Sequence, residues 1–349
     1  QPAGEPRRSR VRRYRPHPRT PRPGAQLPNL NPESGDEAPT PELRLQPDHR
    51  PQRDQLRGLA GHLDTLVLRN NKIVHIPPHT FRNTPRLREL SLSFNKIVDV
   101  DLDAFVDLAE CLQSLEISFG LFQEEFPDLF LKPLTSLLWL ALDNNNFHTI
   151  NSHSLRTFSL LQYLNLDSNR ISALPSGLFH PGVHGNLRDV RLAYNLLQTV
   201  DSETFSGLPS LETIVLSGNR IHTIRTGAFR NLTVLMNLVL SNNAIAVLQS
   251  ESFANLPNLL KLDLQNNAIK EFSLSAFRNV SNPVVPMSLN VSRNQISFLT
   301  HQKTFKLRSL RVLRLSNNMI RSLKLFPESF VCFRRRWPTK SAVLGKNAV

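Results

Sequence analysis

Between residues 63 and 323 the apolar positions keep neither the 3.6-residue period of a helix nor the strict alternation of a half-buried strand. In "LDTLVLRNNKIVHI", residues 63–76, leucines stand at 63, 66 and 68, an asparagine at 71 and isoleucines at 73 and 76. The same order returns about every two dozen residues. Asn71, Asn95, Asn145, Asn169, Asn195, Asn219, Asn243, Asn267, Asn294 and Asn318 mark it, and Gly120 fills the slot between 95 and 145. Two residues after each slot sits an apolar residue, from Ile73 and Ile97 through Phe122 and Phe147 to Ile320. Five and three residues before it sit pairs such as Leu66/Leu68, Leu140/Leu142 and Leu313/Leu315. A phenylalanine usually follows ten residues after it, as at Phe81, Phe105, Phe130, Phe179 and Phe205, while Leu155 substitutes once and Phe305 arrives one residue late.

Internal periods of this length belong to solenoids, whose copies bury their apolar side only by stacking. Each aliphatic pair predicts a short strand with both side chains turned inward. Strands of adjacent copies pair in parallel about 4.8 Å apart, so eleven span roughly 50 Å. The expected fold is an α/β leucine-rich repeat solenoid, a curved horseshoe. Its parallel sheet lines the concave face, and irregular or short helical segments form the convex side. After each strand the chain turns inward and its backbone groups lose ladder partners. A buried asparagine offers two donors and an acceptor, enough to satisfy its own turn and the next coil. The ten asparagines therefore predict a ladder. Gly120 cannot supply such bonds, which marks the third repeat as a weak or bent point. Pro286, in place of the usual first leucine of the longest repeat, marks another irregularity.

The residue before each core pair faces outward. In order these are Thr65, Glu89, Ser114, Trp139, Tyr163, Asp189, Thr213, Asn237, Lys261, Ser288 and Val312. Trp139 and Tyr163 fall on neighbouring strands. The residue before the asparagine slot includes Phe94, Phe119 and Tyr194. Glu116, Asp143, Asp167, Asp189 and Arg191 surround these rings. Aromatics ringed by charge have the composition of a binding hot spot. These ten residues are the candidate partner-binding set. The alternative is that the rings shield strand edges or fill a twist.

Charge changes the picture only at the ends. The net charge is +14, of which residues 1–22 carry +7 and residues 321–349 carry +6, leaving +1 for residues 23–320. The basic pI therefore does not make the array a nucleic-acid binder. Residues 1–56 hold 12 of the 25 prolines and little aliphatic pattern, so this segment is expected to be disordered. The array is expected over residues 57–325 and a basic, non-repeating tail over 326–349. Cys111 and Cys332 are too few for a disulfide framework and read as one buried thiol and one incidental tail cysteine. No stretch approaches the ~20 apolar residues of a membrane span. The chain starts at Gln without a visible leader, and a piece of a longer array is expected.

Catalytic chemistry finds no motif: no phosphate loop, no GxSxG elbow, no HExxH and no zinc-spaced Cys/His pair. The expectation is no enzyme, no cofactor and no metal. His148 and His222 occupy equivalent slots and read as surface variation, and Glu124 and Glu125 as exposed loop charges. Three N-x-S/T sequons, at Asn231, Asn279 and Asn290, are candidate glycosylation sites. Asn231 and Asn279 fall on convex-side connections, and Asn290 on the concave face.

The 24-residue form with its phenylalanine spine is similar to the extracellular leucine-rich repeats of Toll-like receptors, adhesion proteins and matrix proteins. "LQSLEISFG" at 112–120, "SLLWLALDNNN" at 136–146, "LQYLNLDSNRISALP" at 161–175 and "TIVLSGNRI" at 213–221 resemble the chaoptin family of arthropod photoreceptor adhesion proteins. The likeness covers roughly residues 59–323. It implies an extracellular array at the outer face of the plasma membrane, held there by a lipid anchor and mediating cell–cell adhesion by binding its own kind. The expected function of this chain is a non-enzymatic adhesion module whose concave face binds its own kind or another protein. The chain departs from that family in its small number of repeats and in lacking an anchor signal. Rival readings are a receptor ectodomain of the Toll-like type and an intracellular scaffold.

Overall fold

A computed structural model describes residues 61–277, 280, 284–300 and 309–321, together with the strand Ala342–Val343. The segment 1–56, most of the tail 326–349, Asn279, Phe305 and Cys332 lie outside the described residues. The chain forms a parallel β-solenoid. Its long sheet has twelve strands in sequence order. We number them β1 (Thr65–Val67), β2 (Glu89–Ser91), β3 (Ser114–Glu116), β4 (Trp139–Ala141), β5 (Tyr163–Asn165), β6 (Asp189–Arg191), β7 (Thr213–Val215), β8 (Asn237–Val239), β9 (Lys261–Asp263), β10 (Met287–Asn290), β11 (Leu310–Arg314) and β12 (Ala342–Val343). The first eleven come one from each repeat.

The strands are short because only the aliphatic pair and the residues around it can lie flat before the chain must turn inward. The central residue of β1–β9 points into the core, as Leu90, Leu115, Leu140, Leu164 and Val190 do. Its two neighbours in each strand stay on the sheet face. Registers are in step, so Trp139, Tyr163, Asp189 and Thr213 occupy one row across β4–β7. The row breaks at the end. Met287 pairs with Leu310 but Ser288 pairs with Val312, a one-residue bulge. It follows Pro286, which has no amide for the local turn bond that Leu161 and Leu235 make at the same place to Phe158 O and Leu232 O.

The core is one continuous apolar column. On the side away from the sheet, phenylalanines stack coil upon coil. Phe205, Phe229 and Phe253 have successive centroid separations of 5.8 and 5.9 Å with nearly parallel rings. Leu155 interrupts this spine between Phe130 and Phe179. The convex segments are brief, with a helix at Asp128–Leu131 and 3-10 turns at Val106–Leu108 and Leu274–Phe277. His184 is fully buried beside the spine break. Its Nδ1 accepts from the His180 amide, so Nε2 carries the proton and donates to the Leu155 carbonyl at 3.0 Å. Burial lowers its pKa. Cys111 is only half-buried, with its thiol directed at the Leu108 carbonyl. Among the described residues no helix is long and apolar enough to cross a membrane.

At the corner after each strand the slot asparagine turns inward. Asn219 Nδ2 donates to Leu192 O at 2.8 Å and Leu216 O at 3.1 Å, while its Oδ1 accepts the Leu197 amide. Asn95, Asn169, Asn195, Asn243, Asn267, Asn294 and Asn318 repeat the pattern. These bonds run to the preceding coil rather than to the next one, because the corner carbonyl and amide of the earlier coil face the later asparagine. Asn71, in the first described coil, bonds Leu68 O and Arg69 O of its own turn among the described residues.

The third coil solves the missing asparagine with backbone. The carbonyl of Gly120 accepts the Ile97 amide at 2.8 Å, the place taken elsewhere by an asparagine Oδ1. A Cβ at residue 120 would lie 2.9 Å from Ile117 Cγ2, so only glycine lets the chain come this close. The inward apolar position moves by one as a result. Leu121 bridges Ile97 and is buried at 4%, while Phe122, expected inside, is 64% exposed.

Candidate functional site

The outer face of β1–β6 carries the candidate residues in two groups. The first lies along the rim where the strands end. In every coil the residue before the asparagine slot has a left-handed backbone, from Asn70 at φ 58° to Asn317 at φ 57°. Asn144, Gly218, Asn242 and Asn266 suit that conformation, which costs other residues roughly 1–2 kcal/mol. Phe94, Phe119 and Tyr194 occupy it nonetheless, at φ 57°, 50° and 54°. All three rings are exposed. Phe94 and Phe119 stack at 4.9 Å, and the Arg69 guanidinium lies 5.0 Å over Phe94. The same guanidinium reaches Glu116 at 4.0 Å. The ring of Tyr194 lies against Gly218, where a Cβ would fall 2.6 Å from it. Tyr194 therefore depends on the glycine of the next coil.

The second group stands at the centre of the sheet face. Trp139 and Tyr163 are register partners, and their rings stack at 3.4 Å with an interplanar angle of 8°. Beyond the pair lie the carboxylates. Asp143 is fully engaged. It accepts from Ser118 Oγ at 2.7 Å, Asn165 Nδ2 at 3.0 Å and Asn144 Nδ2 at 2.6 Å. Asp167 accepts from the Ala193 amide at 2.5 Å and from Arg191 Nε at 3.4 Å. Burial raises the Asp167 pKa against the opposing pull of that amide and Arg191. Asp189 differs, because its Oδ1 is shut from water and has no hydrogen-bond partner. Burial, only partly offset by Arg191, pushes its carboxyl up to about 6. Burial also raises the Tyr163 phenol well above its ordinary range, so it stays protonated at neutral pH.

The structure thus brings Trp139, Tyr163, Asp143, Asp167, Asp189 and Arg191 onto β4–β6 and the corners after them. Phe94, Phe119 and Glu116 form a neighbouring rim group. Tyr194 stands at the rim of the sixth coil, with the corners of the fourth and fifth separating it from Phe119. Arg69, Ser118 and Gly218 were not singled out from the sequence. Only the register of successive corners shows that Arg69 covers Phe94, that Ser118 reaches Asp143 and that Gly218 makes room for Tyr194. His148 and His222 stand three coils apart, roughly 14 Å at the strand spacing. Asn231 is exposed with φ 61°, and its side chain accepts from Asn255. Asn290 lies within β10, where Oδ1 holds the Ser292 amide and Nδ2 donates to Gln265.

The chain belongs to the leucine-rich repeat family: the family model described as "Leucine rich repeat" matches residues 61–119, 110–171, 185–235 and 233–282. Among curated proteins it is similar to human leucine-rich repeat-containing G-protein coupled receptor 6, 36% identical over 154 residues, covering 44% of this chain and 15% of the receptor. It is similar also to mouse Tsukushi, 29% identical over 191 residues, covering 45% of this chain and 51% of Tsukushi. The matches thus span between 15% and 51% of these relatives' own length. Among solved structures it shares its fold with a chain of the octameric complex of latrophilin 3, Unc5D and the FLRT2 leucine-rich repeats, at TM-score 0.60 and 24% identity, covering 76% of this chain and 81% of that one. It shares it likewise with the TLR13–ssRNA13 complex, at TM-score 0.59 and 22% identity, covering 80% of this chain and 47% of that one.

Proposed function

We propose that this chain is a non-enzymatic binding module that presents the face of β2–β6 to a protein partner in an extracellular setting. Adhesion, to a second copy or to a different protein, is the leading form of that function. The observation that carries it is the placement of three exposed aromatic rings on left-handed backbone positions where most coils use asparagine, glycine or serine. Backbone strain of that kind persists where a surface has a use. Trp139 and Tyr163 add a rigid aromatic surface of the sort that anchors interfaces. The carboxylates around them repel phosphate, which favours protein over nucleic acid. The phrases resembling the chaoptin family support the extracellular adhesion setting. Many weak contacts of this kind between opposed membranes add through multivalency.

The test is Trp139→Ala in the chain displayed on cells, with aggregation and partner capture as readouts. The expected outcome is weaker binding with a thermal midpoint within a few degrees of the parent. Unchanged binding, or wholesale loss of fold, removes Trp139 from the proposed interface.

A further inference from the structure

We propose that the face of β4–β6 receives a cationic side chain, a guanidinium or an ammonium, from the protein partner. This rests on the protein-binding reading above and names the chemistry at its centre.

The stack of Trp139 and Tyr163 runs across the strands. One face of Tyr163 is covered by Trp139, and the other turns toward the row position of Asp189. A cation seated there meets a π face on one side and a carboxylate on the other, both attractive. The carboxylates of the cluster are not equivalent. Asp143 has three donors and Asp167 has two. Asp189 Oδ1 has none. Arg191, the cation that acts on Asp189, already gives its Nε to Asp167. The charged groups that act on Asp189 are Arg191 on one side and Asp167 and Glu212 on the other, with Tyr163 protonated beside them. One cation thus faces three carboxylates. A buried carboxylate oxygen without a donor is costly, and a donor from outside would satisfy it. Asp189 as a residue remains half-exposed, so a donor on a partner can reach its carboxylate. The site is therefore short of one positive donor, in line with the aromatic surface beside it.

The experiment uses the full chain and three fluorescent peptides of equal length that alternate glycine with arginine, glutamine or glutamate. Anisotropy titrations at physiological salt are expected to show binding of the arginine peptide alone. Asp189→Asn is expected to weaken it about tenfold or more, given the usual worth of a partly buried charge partner. Glu271→Gln, an exposed carboxylate far along the array, is expected to leave it unchanged. Binding to the parent chain is expected to fall as pH drops through about 6, where Asp189 takes up its proton. Folding of the variant is checked by its melting curve. A carboxyl whose pKa is raised in the folded state loses stability as pH rises from about 4 to about 6, so Asp189→Asn should melt at or above the parent at pH 7. Equal loss in Asp189→Asn and Glu271→Gln would reduce the effect to general surface attraction and overturn the proposal. So would a flat pH profile of the parent chain, a readout that does not depend on the variant folding. If Trp139→Ala abolishes cell-surface binding and Asp189→Asn does not, the cationic partner is wrong and the protein-binding reading stands. If neither matters, both fall.

Discussion

The slot asparagine does the work of two coils. Asn219 donates to one carbonyl in its own coil and one in the coil before, and accepts the Leu197 amide. Its removal leaves buried backbone groups without partners, each worth about 1–3 kcal/mol. Asn219→Ala is therefore expected to lower unfolding free energy by about that amount or somewhat more, read by denaturant titration. Asn71→Ala serves as the internal comparison. Among the described residues its bonds stay within its own turn, and on that basis a loss under about 1 kcal/mol is expected. Equal losses at the two positions would mean that bonds between coils add nothing. The slot could be read from the sequence because ten asparagines occupy it. The residue before it could not, since Phe94, Phe119 and Tyr194 hide a backbone requirement that five asparagines and one glycine share. The signal was present in Asn70, Asn144, Gly218, Asn242, Asn266 and Asn317, all disposed to left-handed backbone, but it needed the column to be read downward rather than along the chain.

At the scale of one coil, the third repeat shows how a lost side chain is replaced. The Gly120 carbonyl sits where an amide oxygen usually does, and Leu121 rather than Phe122 enters the core. The repeat grammar alone suggests the opposite substitution, a restored asparagine. Gly120→Asn is instead expected to destabilise the chain by about 1–3 kcal/mol, because its Cβ would press on Ile117 Cγ2 at 2.9 Å and on Leu92 O at 3.4 Å. A rise in the thermal midpoint of that variant would show that the corner relaxes to the common form. Strand positions, inward residues and the phenylalanine spine followed from the spacing, since each is fixed by the need to bury one side of every coil. The exposure of Phe122 did not follow, because a one-residue shift inside a turn changes no spacing. The bulge opposite Met287 was signalled only as an irregularity near Pro286.

Across the whole array, each coil touches only its neighbours, so stability is a sum of coil and interface contributions and need not be lost all at once. This bears on the candidate site, which spans five consecutive coils rather than one pocket. Its outline could be read in the sequence, since alternation places Trp139, Tyr163 and Asp189 on one row. Its electrostatics could not, because which carboxylate lacks a donor depends on Ser118, Asn165 and Arg191 arriving from different coils. Leu164 is fully buried beneath Tyr163 and joins the aromatic strand β4 to the acidic strand β6. Leu164→Ala opens a cavity there and is expected to cost about 2–5 kcal/mol. Nearest-neighbour coupling makes that loss local. Hydrogen exchange should speed up in β4, β5 and β6 well before it changes in β9, and the proposed binding through Trp139 should fail while the far coils stay protected. A uniform gain in exchange along the array would mean that it opens as one unit, and the proposed binding face could then not be weakened separately from the fold that carries it.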